Sequence, residues 1–216
     1  MKKRDNFDVS VYVVIDPSVC GGRAVEEVAA MALCGGASMI QLRNKVDSLA
    51  IVKDQAHAIQ SILADSSVAF IINDHVELAA EINADGVHIG QGDMDAIEAR
   101  KVIGNNKILG LTAFTKDHYS SVSPDIVDYF GTGPVYPTLT KPDKAVLGID
   151  GFAKLAKDSP VPVVGIGGIT PKNAGAVIKA GASGVAMMRS VSEAENPEQA
   201  VSDFVTSVKE ARLVYH

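Results

Sequence analysis

A chain of 216 residues with 47% hydrophobic and 21% charged side chains can bury a core without staples, which sets aside disordered classes. Its two cysteines, Cys20 and Cys34, and the lack of a Cys/His cluster at zinc-like spacing argue against a disulfide scaffold or a structural zinc. A formal net charge of −6 with no basic face argues against nucleic acid. Residues 1–8 lack the apolar core of a signal peptide, and no later run is long and apolar enough to span a bilayer, so a cytoplasmic protein with reduced thiols is expected.

Along the chain, short β-branched runs alternate with amphipathic ones. The runs at 11–16, 38–43, 68–73, 86–89, 107–112, 128–131, 161–166 and 184–188 read as eight strands. Helices are predicted at 24–34, 48–64, 76–82, 95–103, 171–180 and 197–211. The segment 112–128 is only weakly helical, and 131–161 holds a long loop before its helix. Three helix-to-strand joints look alike: Gly35-Gly36-Ala37-Ser38, Asn83-Ala84-Asp85-Gly86 and Ala180-Gly181-Ala182-Ser183-Gly184. Each offers a glycine or asparagine where a helix ends in a left-handed residue. Regular alternation implies a parallel sheet, and eight units of roughly 25 residues each match a small α/β fold, the (β/α)8 TIM barrel. The expected organisation is one domain over 1–216, with 1–9 as a short polar extension. The main rival is a doubly wound open sheet, weakened by the lack of Gly-x-Gly-x-x-Gly after the first strand.

A barrel places its active site at the C-terminal ends of the strands. Strand two ends in Gln41-Leu42-Arg43-Asn44-Lys45, where alternation puts Gln41, Arg43 and Lys45 on one side. Arg43 and Lys45 together suit a diphosphate, the first as a fork and the second as a compact charge; a solvated strand end is the plain alternative. Asp74 and Asp93 follow strands three and four. Two carboxylates converging at a barrel mouth repel unless a cation joins them, and oxygen ligands beside phosphate favour Mg²⁺. Otherwise Asp74 is a helix cap and Asp93 a loop residue. His88 reads as a hydrogen-bonded strand residue, and neither it nor His75 has partners spaced for zinc. The loop after strand six carries Thr138, Thr140 and Lys141, two hydroxyls and an ammonium able to close over an anion. Gly167-Gly168 after strand seven and Met188-Arg189 after strand eight stand where such barrels hold phosphate, and Thr170-Pro171 starts the next helix.

These motifs, in this order, resemble the thiamin-phosphate synthase family over about 11–208. The carriers are Gln41-Leu42-Arg43-Asn44-Lys45, Asn73-Asp74, the run from Asp85 to Asp93, the run from Gly133 to Lys141, and Gly165-Ile166-Gly167-Gly168-Ile169. The resemblance implies a transferase of a non-methyl alkyl group. It would join a methylpyrimidine, carried as its diphosphate, to the nitrogen of a thiazole phosphate or its carboxylated form, releasing thiamin phosphate and diphosphate. By the same resemblance, Gln41, Leu42, Arg43, Asn44, Lys45, Asn73, Thr112 and Lys141 hold the pyrimidine diphosphate. Thr138, Leu139, Thr140 and Gly168 hold the thiazole phosphate, with Met188 and Arg189, and Asp74 and Asp93 bind Mg²⁺. The family commonly has serine at Thr112 and at Arg189, histidine at Phe114 and an acidic residue at His75.

No nucleophilic pair is evident and none is required. Arg43, Lys45, Lys141 and Mg²⁺ would neutralise a departing diphosphate, and the thiazole nitrogen would then attack the methylene. The rivals are a thiazole tautomerase, a sugar-phosphate isomerase or epimerase on the same fold, and a non-catalytic sensor. The expected partners are small molecules, with no nucleic acid and no membrane; a homo-oligomer is left open.

Overall fold

The computed structural model describes residues 3–140 and 144–213. Eight parallel strands close into a barrel in sequence order: β1 (Val11–Ile15), β2 (Met39–Leu42), β3 (Ala69–Asn73), β4 (Gly86–Ile89), β5 (Ile108–Thr112), β6 (Tyr129–Thr132), β7 (Val163–Ile166) and β8 (Gly184–Met187). β1 pairs with β8, Tyr12 opposite Ala186, so the sheet has no edge. Outside lie α1 (Val25–Cys34), α2 (Leu49–Leu63), α3 (Val76–Glu81), α4 (Ala96–Ile103), α5 (Lys116–Ser120), α6 (Gly148–Lys157), α7 (Pro171–Lys179), α8 (Arg189–Ser192) and α9 (Pro197–Leu213). The doubly wound alternative is excluded, and the strand boundaries read from sequence stand within two residues.

The strands are buried on both faces, as a parallel sheet under helices demands. Val11, Val13 and Ile15 of β1, Ile40 and Leu42 of β2, and Val87 and Ile89 of β4 pack outward against the helices. Tyr12, Met39, Ala69, Ile71, Ile108, Tyr129, Val164 and Ala186 fill the barrel. Alternation therefore sends Gln41, Asn73, His88 and Thr112 inward near the C-terminal ends of their strands.

The three similar joints share one geometry. Gly36, Asn83 and Gly181 have φ of 93°, 54° and 102°. In each, an amide reaches back five residues, Ala37 to Ala32, Ala84 to Ala79 and Ala182 to Val177, closing the helix end before a strand begins.

Two features depart from the sequence reading. The described part of the polar extension is docked at Arg4 and Phe7: Arg4 reaches the Asp128 carboxylate and the Asp125 carbonyl, and Phe7 lies 6.3 Å from the Tyr129 ring. The other Asp128 oxygen accepts from buried Arg100 at 2.7 Å, so the foot of the barrel is tied by charge. Helix α8 is the second, and its four residues are too few to leave a periodic signal.

Gly36→Ala should cost about 1 kcal/mol, because an added Cβ finds its first neighbour at 3.4 Å and only the left-handed backbone objects. Asn83→Gly should cost nothing measurable. Urea unfolding of both variants tests this, and equal losses would overturn it.

Candidate active site

The mouth is built from strand ends that hold one another. Asp16, just past β1, is buried and accepts from the Ser18 amide at 3.0 Å and the Ser18 hydroxyl at 2.6 Å. Its other oxygen pairs with the Arg43 guanidinium. The Arg43 amide donates to the Ile15 carbonyl at 2.8 Å, which carries the β1–β2 pairing one residue further. Arg43 is thus held by a buried carboxylate that sequence reading did not single out. Asp16 and Arg43 are far apart in the chain, and only strand pairing brings them together.

Along the same segment, Gln41 points into the barrel and donates its amide to the Tyr12 hydroxyl at 2.5 Å. Leu42 points outward into the helix-facing core, so its side chain does not reach the mouth. Asn44 is buried and spent on its own loop and on α2: its amide donates to Asp47 and Gln55, and its oxygen accepts from the Val46 and Asp47 amides. Lys45 pairs with Asp74 at 2.6 Å, so a candidate diphosphate grip and a candidate metal ligand hold each other.

Asp74 sits in the left-handed region, with φ of 62°. Its amide donates to the His88 carbonyl at 2.9 Å, prolonging the β3–β4 pairing. The His75 amide then bonds the Asn73 carbonyl and the Val76 amide the Asp74 carbonyl, two tight turns in succession. Such a backbone costs free energy and is typical of sites that must aim a side chain. The helix-cap reading of Asp74 does not hold, because His75 occupies that position and caps nothing with its side chain. Asp93 is exposed, with one oxygen accepting from the Gly90 amide at 2.7 Å. Among the described residues no three His, Cys, Asp or Glu side chains gather as a metal cage. Two carboxylates past adjacent strands suit a hard ion that takes one or two protein oxygens and completes its shell with phosphate and water.

His88 is a hydrogen-bonded strand residue, 3.0 Å from both the Tyr129 and Thr112 hydroxyls. Burial pushes the Tyr12 and Tyr129 phenols well above the ordinary range, so both stay protonated. Gln91, from the next loop, donates to the Thr112 carbonyl at 2.5 Å. Phe114 meets His118 edge-on at 4.4 Å and lies 5.3 Å under the Lys144 ammonium.

Across the mouth, the loops after β6 and β7 interlock. The Val135 and Tyr136 amides donate to the Ile166 and Gly167 carbonyls at 2.9 and 3.0 Å. Gly167 and Gly168 have φ of 96° and 65°. A Cβ on them would stand 2.6 Å from the Pro134 Cβ and 2.4 Å from the Pro137 carbonyl oxygen, so no larger residue fits. Asn173 ties this loop to α7, accepting from the Thr170 amide and donating to the Gly168 carbonyl. Further along the β6 loop, the Thr138 hydroxyl accepts from the Thr140 amide at 3.3 Å and Leu139 is 80% exposed. Lys141 lies outside the described residues. Met188 precedes α8, and Arg189 opens it with its guanidinium paired to Glu193 one turn on.

The thiamine monophosphate synthase family profile matches residues 11–191. The chain is 41% identical over 213 residues to the thiamine-phosphate synthase of Bacillus licheniformis, covering 96% of this chain and 94% of that one. It is 41% identical over 199 residues to the thiamine-phosphate synthase of Laribacter hongkongensis, covering 91% and 93%. The solved thiamine phosphate pyrophosphorylase of Pyrococcus furiosus superposes with a TM-score of 0.85 at 30% identity over 94% of this chain and 96% of that one. On this sequence match and this shared barrel, the chain belongs to the thiamine monophosphate synthase family.

Proposed function

We propose that this barrel mouth joins a pyrimidinylmethyl diphosphate to the ring nitrogen of a thiazole phosphate or its carboxylated form, using Mg²⁺. As a family member the chain is a thiamine-phosphate synthase, a transferase of small molecules. The observation that carries the site assignment is the set of charges at the ends of β1 to β4: Arg43 paired with Asp16 and Lys45 with Asp74, with Asp93 in the loop after β4. Cations to grip a diphosphate and carboxylates to hold a metal stand together on adjacent strands.

Asp74 and Asp93 would hold Mg²⁺, which would supply positive charge to the departing diphosphate. Arg43, fixed by Asp16, presents its fork to the diphosphate oxygens. Lys45 is half exposed and shares Asp74, so it can turn to the leaving group as that carboxylate takes a cation. Lys141 would add a third positive charge. Gln41, Asn73 and Thr112 line the inner wall where the pyrimidine would lie, while Leu42 and Asn44 have only their backbone to offer. The thiazole phosphate would lie against Thr138, Leu139, Thr140 and Gly168, with Met188 and Arg189 beside them. With the nitrogen held close to the methylene, charge stabilisation and proximity suffice, and no side-chain nucleophile is required. No helix among the described residues is long and apolar enough to cross a membrane, and a cytoplasmic setting agrees with the free cysteines Cys20 and Cys34.

The direct test is formation of thiamin phosphate from the two substrates and Mg²⁺, read by oxidation to its fluorescent product; no product from folded protein would reject the assignment. Asp74→Asn keeps a residue tolerant of left-handed backbone and removes the charge, so the fold should survive while turnover falls roughly 100-fold. Unchanged turnover with unchanged Mg²⁺ dependence would remove Asp74 from the metal site. Asp16→Asn should raise the KM for the pyrimidine diphosphate about 10-fold and leave that for the thiazole phosphate alone, because it loosens Arg43 only. Equal changes in both constants would contradict this role.

A further inference from the structure

A continuous line of hydrogen bonds crosses the barrel interior. The Gln41 amide donates to the Tyr12 hydroxyl at 2.5 Å. The Tyr12 and Tyr129 hydroxyls are 2.8 Å apart. Tyr129 lies 3.0 Å from His88 Nδ1, and His88 Nε2 lies 3.0 Å from the Thr112 hydroxyl. The line runs from the end of β2 to the end of β5 and draws on β1, β4 and β6. Both of its ends are side chains assigned above to the pyrimidine diphosphate.

The barrel is shaped around this line. A Cβ on Gly110 would stand 2.3 Å from the Tyr129 hydroxyl and 2.5 Å from His88 Nδ1. One on Gly131 would stand 3.0 Å from His88 Cε1. Two inward strand positions are therefore kept bare where a closed barrel would otherwise take packing side chains. The Tyr129 ring stacks on His88 at 5.5 Å and meets Tyr12 edge-on at 5.8 Å, which fixes the rings as well as their polar atoms.

Counting donors gives the line a direction. Tyr12 and Tyr129 are buried, so neither hydroxyl proton can be left without an acceptor. Tyr12 already accepts from Gln41, so it donates to Tyr129. Tyr129 then donates to His88 Nδ1. A neutral imidazole accepting at Nδ1 carries its proton on Nε2 and donates it to Thr112. The Thr112 hydroxyl, having accepted, keeps its own proton to offer the mouth.

We propose that Tyr12, Tyr129 and His88 are positioning residues that lock the Thr112 hydroxyl as a hydrogen-bond donor toward an acceptor atom of the pyrimidine diphosphate, and tie that orientation to the Gln41 amide. The proposal rests on the assignment of Gln41 and Thr112 to that substrate. A Ser or Thr hydroxyl normally rotates to suit its ligand. Here the proton is kept from turning toward the ring before the ligand arrives, and that partial preorganisation narrows the poses the site accepts.

Tautomer state gives a test that needs no turnover. Full-length protein carrying isotope-labelled histidine is examined by long-range proton–nitrogen correlation, with the His88 signals assigned by their loss in His88→Gln. The expected result is a neutral ring protonated at Nε2, with Tyr129→Phe abolishing that preference while leaving the ring packing in place. A proton on Nδ1 in the unsubstituted protein would reverse the direction and overturn the proposal. The kinetic arm uses Tyr129→Phe and Thr112→Val. Each should raise the KM for the pyrimidine diphosphate about 10-fold with the thiazole phosphate KM unchanged, and the double variant should lose no more than either single. Fully additive losses, or an unchanged pyrimidine KM in Tyr129→Phe, would overturn it. Should Tyr129→Phe fail to fold, His88→Phe keeps a ring and removes the donor to Thr112; it should raise the pyrimidine KM about 10-fold and add nothing to Thr112→Val, and an unchanged KM would overturn the proposal. Absence of turnover in the unsubstituted protein with the expected tautomer would reject the synthase assignment and leave the hydrogen-bond line standing.

Discussion

Every strand of this barrel is buried on both faces, so a polar side chain turned inward must find its partner inside. That constraint governs the rest of the molecule. An unpaired buried hydroxyl or amide costs about 1–3 kcal/mol, and the barrel carries Gln41, Tyr12, Tyr129 and His88 in its interior. They are tolerable because they satisfy one another in series and end at Thr112, where the barrel opens. Met39, Ile71, Ile108 and Val164 pack in one apolar cluster with the two tyrosine rings. The interior thus wraps its paired polar groups in hydrocarbon and lets them out only at the charged mouth, where the site stands.

At the mouth the same logic acts on charge, with a different outcome for each pair. Asp16 and Arg43 have side chains 4% and 25% exposed, whereas Asp74 and Lys45 are 20% and 49% exposed. Breaking the first would strand a buried carboxylate, which is costly. Breaking the second returns two groups to water at little cost, as for most exposed ion pairs. The first pair therefore serves as scaffold, presenting Arg43 in one orientation. The second can exchange partners, with Asp74 free for a cation and Lys45 for an anion. A site of the kind proposed, taking a diphosphate with a metal, needs both behaviours: a fixed fork to define where the phosphates lie, and a labile pair that can exchange partners.

Much of this was legible in the sequence, for reasons that are local. Strands buried on both faces read as short β-branched runs, and the left-handed joints at Gly36, Asn83 and Gly181 carry their own chemical signature. Inward placement of Gln41 and outward placement of Leu42 follow from alternation alone. The rest depends on contacts between segments distant in the chain. Asp16 reads as the end of a strand until β2 lies beside it and Arg43 arrives. Asn44 reads as a candidate ligand until Asp47 and Gln55 take its amide. Tyr12 and Tyr129 lie in strand runs far apart in the chain, and only the closed barrel brings their hydroxyls within 2.8 Å. Polar groups at strand ends can be listed from sequence, but which of them are already engaged cannot.

The Gly167-Gly168 pair shows how far a motif can carry a functional argument. Both residues are left-handed, and both lie too close to Pro134, Tyr136 and Pro137 for any side chain. The interlock of the β6 and β7 loops would demand glycine there even in a barrel that bound no phosphate. The glycines alone are therefore weak witnesses to an anion. What gives the phosphate assignment weight is what the interlock accomplishes. It clamps the β6 loop, with Thr138 and Thr140, against the strand end beside β8, where the short helix α8 begins at Arg189. A loop held on one side by two backbone hydrogen bonds and on the other by glycines that admit no slack presents its hydroxyls from a fixed base. The bareness of Gly167 and Gly168 thus serves the site by placing another loop's donors, which is a different role from cradling the anion with their own amides.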